Sequence, residues 1–343
     1  MSTEVGLALT KVSRRSTLVF LPLWAGPGFA QRVQTGPPPR VGLLLAGSAH
    51  EHQGLEQELS ARLALLGWKP GQNVLIEGAY ANGNLERLPA LAEELVRKRV
   101  DVIVTGGALT TVTAARATQE IPIVFSSVHY PVEQGLVQSY SKPGRNITGP
   151  ALFHGMELTV KRIDFLRECA PAATRLAWVW PQDLFELPAL SGGKVDLRPR
   201  IAAAASASGF DVQFHSVAEA DDLDAVFSAI TASGAHVLSG GIGGRPEPIT
   251  EFALRRRMPS AYPARYFVQA GGLISYGPVE ADVHRGTERT AVYVDRILRG
   301  ARAADLPVEQ PSRFELALNA KTAKAIGVAL PRSLVLRADA VIG

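Results

Sequence analysis

Val100-Asp101-Val102-Ile103-Val104-Thr105-Gly106-Gly107-Ala108-Leu109-Thr110 leads, about ten residues on, to Ile121-Pro122-Ile123-Val124-Phe125-Ser126-Ser127. This stretch decides the fold. Val102 to Thr105 is a short apolar, β-branched run, the mark of a strand buried on both faces. Gly106-Gly107 permits a sharp turn and leaves the amides of the next helix uncovered. Leu109 to Thr118 is the predicted crossover helix, and Pro122 marks entry to the next strand. In a parallel sheet of this kind, ligands sit beyond the carboxyl ends of the strands. The loops Gly106–Thr110 and Ser126–Pro131 are therefore the first places to look for function.

Working outward, the same grammar repeats. Val41 to Ala46 and Val74 to Tyr80 read as buried strands, each followed by a helix; Leu88, Leu91, Leu95 and Val96 share one face of the second. Residues 143–155 break the pattern and suggest passage to a second body. There, Glu157–Glu168 is a predicted helix, Leu176–Trp180 a strand, and Leu187–Pro199 an irregular surface loop. Strands at Val212–Ser216, His236–Ser239, Ser260–Tyr262 and Gly272–Gly277 follow, alternating with helices, and Val283–Leu298 is a helix closed by Gly300. Strands alternating with helices in two similar halves predict an α/β protein of two doubly wound parallel-sheet lobes.

The chain has 343 residues, too many for one ordinary core, and is 46% hydrophobic and 20% charged, as in a soluble globular protein. Its net charge is +4, and the first 30 residues contribute Lys11, Arg14 and Arg15 against Glu4, leaving +2 for the rest. With no basic stripe interleaved with aromatics, a nucleic-acid partner is not expected. Lys11, Arg14 and Arg15 precede the apolar run Leu18–Ala25, and Gly28-Phe29-Ala30 supplies small residues for cleavage, so residues 1–30 read as a signal peptide and 31–39 as a linker. Ser13-Arg14-Arg15-Ser16-Thr17-Leu18 also fits a twin-arginine signal. Export to the periplasm is expected, with no direct membrane insertion of the mature chain. The single cysteine, Cys169, reads as a small core residue.

Six further segments carry a resemblance. Leu65-Leu66-Gly67-Trp68-Lys69-Pro70-Gly71-Gln72-Asn73-Val74, Arg87–Val96, Gly144-Arg145-Asn146-Ile147-Thr148-Gly149, Gly271–Gly277, Asp305–Pro311 and Asn319–Val328 resemble the substrate-binding proteins of ABC transporters of the tryptophan/tyrosine-binding type. The resemblance spans nearly the whole mature chain. It implies a type I periplasmic-binding-protein fold, with lobes joined by a three-crossing hinge near Thr148–Ala151, Ala270–Leu273 and Asp305–Val308. The implied division is 40–148 with 273–305, and 149–272 with 306–343. The second crossing would return Ile274-Ser275-Tyr276 and the helix Val283–Leu298 to the first lobe. A small-molecule ligand closed between the lobes, and the permease and ATPase of an ABC importer, are the implied partners.

The resemblance implies ligand contacts in the same loops that the strand ends select. In the first lobe these are Ser48 and His50, then Gly107, Ala108 and Leu109, then Ser127, His129 and Tyr130. In the second they are Trp180 and Asp183, then Gly241 and Ile242, then Tyr262 and Arg265. Amides and hydroxyls at the helix start suit a carboxylate. Tyr130, Trp180, Tyr262 and Tyr266 offer flat apolar walls, and Arg245, Arg265 and His129 polar reach. Many relatives carry an aspartate where Tyr130 stands, so an amine-binding acid is missing there. An aromatic or hydrophobic carboxylate is the expected ligand. No cofactor is expected: Gly240-Gly241-Ile242-Gly243-Gly244 lacks dinucleotide spacing, and there is no nucleophile elbow or phosphate loop. His50-Glu51-His52 is too small a set for zinc. A ligand sensor for a membrane receptor and a secreted α/β enzyme are the alternatives. A DNA-binding regulator of the same fold is disfavoured by the signal peptide and by the lack of a helix-turn-helix.

Overall fold

The apolar run read first is the middle of a parallel sheet. Strands β1 (Arg40–Leu45), β2 (Leu75–Tyr80), β3 (Val102–Thr105), β4 (Ile123–Phe125) and β5 (Ile147–Thr148) lie in the order β2-β1-β3-β4-β5, all parallel. Period-two alternation sorts their side chains. Val41, Leu43, Leu45, Val102 and Val104 point to one face, Leu44, Ile103, Ile123 and Phe125 to the other. Helices α1 (Gln53–Leu65), α2 (Leu88–Arg97) and α3 (Ala108–Ala117) are the crossovers. Leu88, Ala92 and Leu95 of α2 and Val112 and Ala115 of α3 cover the Leu44 face. This computed structural model describes residues 36–151, 156–218, 223–242, 245–279 and 286–343. The signal peptide, most of the linker, Gly243-Gly244 and the first residues expected in the helix from Val283 lie outside them.

Helix α4 (Met156–Cys169) opens the second body. Its sheet has the order β14-β13-β12-β11-β10-β6-β9, built from β6 (Arg175–Pro181), β9 (Asp211–Val217), β10 (Val237–Gly240), β11 (Ser260–Tyr262), β12 (Ile274–Pro278), β13 (Phe314–Asn319) and β14 (Ala340–Ile342). Only the β12–β13 pair is antiparallel. Leu176, Trp178 and Trp180 of β6 face α4 and the helix Arg198–Ala207; Ala177 and Val179 face the helices Leu223–Ala232 and Pro246–Arg255.

Two expectations need correction. The strand Ile274–Pro278 does not return to the first sheet. Ile274 and Ser275 pair with Ala261 and Tyr262, and Ser275 with Ala317, so it sits inside the second sheet. What does return is the helix Gly286–Leu298, whose Ala291, Tyr293, Val294 and Ile297 pack on the Val41 face of the first sheet. The passage therefore follows Pro278 rather than residues 270–273. The stretch 187–199 is also not irregular. It contains an antiparallel hairpin, β7 (Glu186–Pro188) against β8 (Lys194–Asp196).

Two of the connecting segments run side by side. The Ala151 amide donates to the Glu309 carbonyl at 2.8 Å, and the Thr148 hydroxyl to the Leu306 carbonyl at 2.7 Å. Tyr293, on the returning helix, hydrogen-bonds the Pro307 carbonyl, and Arg289 pairs with Glu309. Gly149 holds φ +146° at this point; a side chain there would run into the Phe125 carbonyl.

Candidate functional site

The carboxyl ends of the two sheets approach each other. Tyr130, on the loop after β4, packs in the same apolar cluster as Trp180 and Phe185 at the end of β6. The β7–β8 hairpin crosses to the first body: Arg116 Nη2 on α3 donates to the Ala189 carbonyl at 2.8 Å and the Leu190 amide donates to the Gln134 carbonyl at 2.9 Å, while on the helix that follows Arg200 pairs with Glu133 at 2.7 Å. Leu190 packs against the apolar residues of the first body.

At the head of α3, threonines fix the turn. The Gly107 amide donates to Thr110 Oγ1 at 3.1 Å, and the Thr110 and Thr111 hydroxyls donate back to the Gly107 carbonyl at 3.0 and 2.6 Å. This leaves Ala108 and Leu109 at the helix opening, where amides have no intrahelical acceptor. Leu109 is 40% exposed, high for a leucine beside a sheet end. Ser127 closes over the same turn: its carbonyl lies 3.8 Å from where a Gly107 Cβ would stand. Gly286, at the head of the returning helix, comes equally close to the Ser126 carbonyl. Gly107, Ala108, Leu109 and Ser127 thus form one constellation.

The other expected contacts divide differently. Ser48 and His50 lie on the loop that follows β1, the strand paired with β3. Ser48 and Glu51 cap each other, the Ser48 amide donating to Glu51 Oε2 at 2.6 Å, which holds the Glu51 carboxyl below its usual range. His50 borders a groove of about 620 Å3 whose other lining residues, Ala49, Gln53, Glu56, Gln57 and Ser60, all come from this loop and α1. Asp183 is exposed on the short helix Gln182–Phe185. Gly241 and Ile242 are buried against the cluster around Phe267, into whose ring a Gly241 side chain would run.

Three of the expected aromatics are buried in apolar clusters. Trp180 has the same parity on β6 as Leu176 and Trp178, so its ring turns under the sheet, 5.2 Å from Trp178 and 5.6 Å from Phe185. Tyr262 is fully buried and stacks on Phe267 at 4.8 Å. Tyr130, 6% exposed, adopts φ +52° and inserts toward α4, where its hydroxyl is hydrogen-bonded to Thr159. Burial raises the pKa of each of these phenols, so both are neutral donors at physiological pH. Tyr266, in contrast, is 37% exposed. His129 is largely enclosed, and desolvation pushes its pKa down to about 4, leaving a neutral imidazole. Arg265 is already paired, with Glu315 at 3.3 Å.

One charged group escaped the sequence reading. Arg162 on α4 is 4% exposed. Its Nη1 donates to the Tyr276 carbonyl at 3.2 Å and its Nη2 to Thr159 Oγ1 at 3.0 Å, while its Nε has no acceptor among the described residues. Desolvation pulls its pKa down to about 10. A signal was present: Leu158, Arg162, Phe165 and Cys169 fall at i, i+4, i+7 and i+11, so Arg162 occupies the apolar stripe of its helix.

Two parallel-sheet bodies with facing carboxyl ends, linked by side-by-side connecting segments, define a type I periplasmic-binding-protein fold. The family model for ABC transporter substrate binding proteins matches residues 48–342, and the chain belongs to that family, a class of small-molecule-binding, extracytoplasmic proteins that work with a membrane transporter rather than as enzymes. A tyrosine-binding protein of Clostridioides difficile is 27% identical over 133 residues, a match spanning 38% of each chain. A Streptococcus pneumoniae protein solved in complex with L-Trp superimposes with a TM-score of 0.66 at 20% identity, covering 89% of this chain and 100% of that one. A conserved domain protein of Vibrio cholerae gives 0.67 at 23% identity over 88% and 99%. No helix among the described residues is long and apolar enough to cross a membrane.

Proposed function

We propose that the protein is the periplasmic solute-binding component of an ABC importer, capturing a small aromatic or hydrophobic carboxylate between its two lobes and presenting it to a permease and its ATPase. The lobes are the bodies carrying the two sheets, and they close about the paired connecting segments at 148–151 and 306–309. The observation that carries this reading is the constellation at the head of α3. Open amides at Ala108 and Leu109 suit a carboxylate. Leu109 and Tyr266, exposed at opposite sheet ends, suit an apolar ring. The tyrosine-binding and tryptophan-bound relatives add support for an aromatic ligand.

Closure on a ligand shifts an existing open–closed equilibrium, so the transporter needs only to distinguish the two forms. A thermal-shift screen of aromatic acids, amino acids and sugars tests the proposal. Stabilisation by at least one aromatic or hydrophobic acid, without turnover, is expected. A response to sugars alone, or chemical conversion of the ligand, would overturn it.

A further inference from the structure

Three arginines lie near the contact between the two bodies or the strand ends that face it, and they are not equivalent. Arg200 has Glu133 and Arg265 has Glu315 as counter-ions. Arg162 has none among the described residues, although it is the most deeply buried. A guanidinium removed from water is destabilising unless a carboxylate or a full set of acceptors replaces the solvent. Arg162 meets only two neutral oxygens, one from Tyr276 and one from Thr159, and its Nε donor goes unused.

Its position gives that shortfall a purpose. Arg162 lies where α4 and β12 of the second body meet Tyr130 of the first, and Tyr130 is bonded to the same Thr159 that Arg162 touches. Tyr130 comes from the loop that begins with Ser126-Ser127, beside the head of α3. In the open form proposed above, withdrawal of Tyr130 from α4 opens the guanidinium to the cleft.

We propose that Arg162 receives the ligand's carboxylate together with the open amides at the head of α3, completing in the bound state the ion pair that the empty protein lacks. This rests on the carboxylate reading given above. The planar fork of an arginine suits a carboxylate in a two-bond geometry that lysine cannot reproduce. The energetic logic is that of a strained site: a charge left uncompensated in the free protein is stabilised only when the right anion arrives.

The test compares wild type, Arg162→Gln and Arg162→Lys by scanning fluorimetry and calorimetry. The probes are benzoate, phenylacetate, L-tyrosine and L-tryptophan, each beside its neutral amide. Wild type should bind one acid and not its amide. Arg162→Gln should bind that acid about 10- to 100-fold more weakly, the span expected for loss of a charged hydrogen bond, with Arg162→Lys intermediate. Ligand-free Arg162→Gln should melt no lower than wild type, because it sheds an unpaired buried charge. Equal affinity in wild type and Arg162→Gln would overturn the proposal, and so would both variants melting well below wild type without ligand. A wild type that binds acid and amide alike, or no acid, would instead overturn the carboxylate reading before any variant is made, and the proposal with it.

Discussion

Trp68 Nε1 donates to Asp295 Oδ1 at 2.8 Å, joining residues 227 positions apart. Trp68 ends the turn after α1, and Asp295 sits on the helix that returns from the second body. Arg299 reinforces the join, reaching Asp295 at 2.6 Å and the Leu66 carbonyl at 2.9 Å. The return of the chain is thus fixed by a partly buried, charge-assisted bond as well as by apolar packing. Trp68→Phe removes the donor and leaves Asp295 with Arg299 alone. A loss of about 1–2 kcal/mol in urea unfolding is expected; an unchanged midpoint would show that the bond contributes nothing.

Gly149 has a backbone that only glycine tolerates well, with no room for a methyl group against Phe125. Gly149→Ala should lower stability by more than about 2 kcal/mol, combining strain at positive φ with displacement of β4. A variant within 0.5 kcal/mol of wild type, about the scatter of surface substitutions, would contradict the geometry.

The β7–β8 hairpin is a strap between the two bodies. Arg116→Ala with Leu190→Ala removes one of its hydrogen bonds and its apolar anchor. Faster amide exchange in residues 186–196 and weaker ligand binding are expected, since contacts that join the two bodies are lost. Unchanged exchange in that segment would show the strap to be incidental.

His129 gives a pH signature. Its folded pKa, about 4, lies below the ordinary 6.5 because burial disfavours the imidazolium. The unfolded chain therefore binds the extra proton first. Its contribution is fully present above pH 6.5 and is lost as the pH falls toward 4. About 2 kcal/mol of stability should disappear across that window, allowing for partial solvent contact. His129→Phe should flatten this part of the profile. Parallel profiles for variant and wild type would assign the loss to other groups.

Much of this was legible in the sequence, and the exceptions share a cause. The β-branched run Val102–Thr105, the glycine turn and the Leu88/Leu95 stripe specify strand, turn and helix locally, because each is set by neighbours within a few residues. Which sheet Ile274–Pro278 joins is not local: a buried strand looks the same wherever it pairs, and the decision lies with Ala261 and Ala317. The burial of the expected site walls was hidden for a related reason. Trp180 and Tyr262 stand at strand ends, as a ligand contact should, but parity turns each ring into a core. Arg265 offered the right chemistry and proved to be engaged by Glu315, 50 residues away. Arg162 was readable as a charge in an apolar stripe, yet its lack of a counter-ion is a property of three dimensions.

Small-angle scattering on the purified chain, with and without the acid that the thermal screen selects, tests the central claim most directly. Closure of two lobes about their connecting segments predicts a smaller radius of gyration at saturating ligand, reversed when the ligand is dialysed away. An unchanged radius with the ligand demonstrably bound would contradict it.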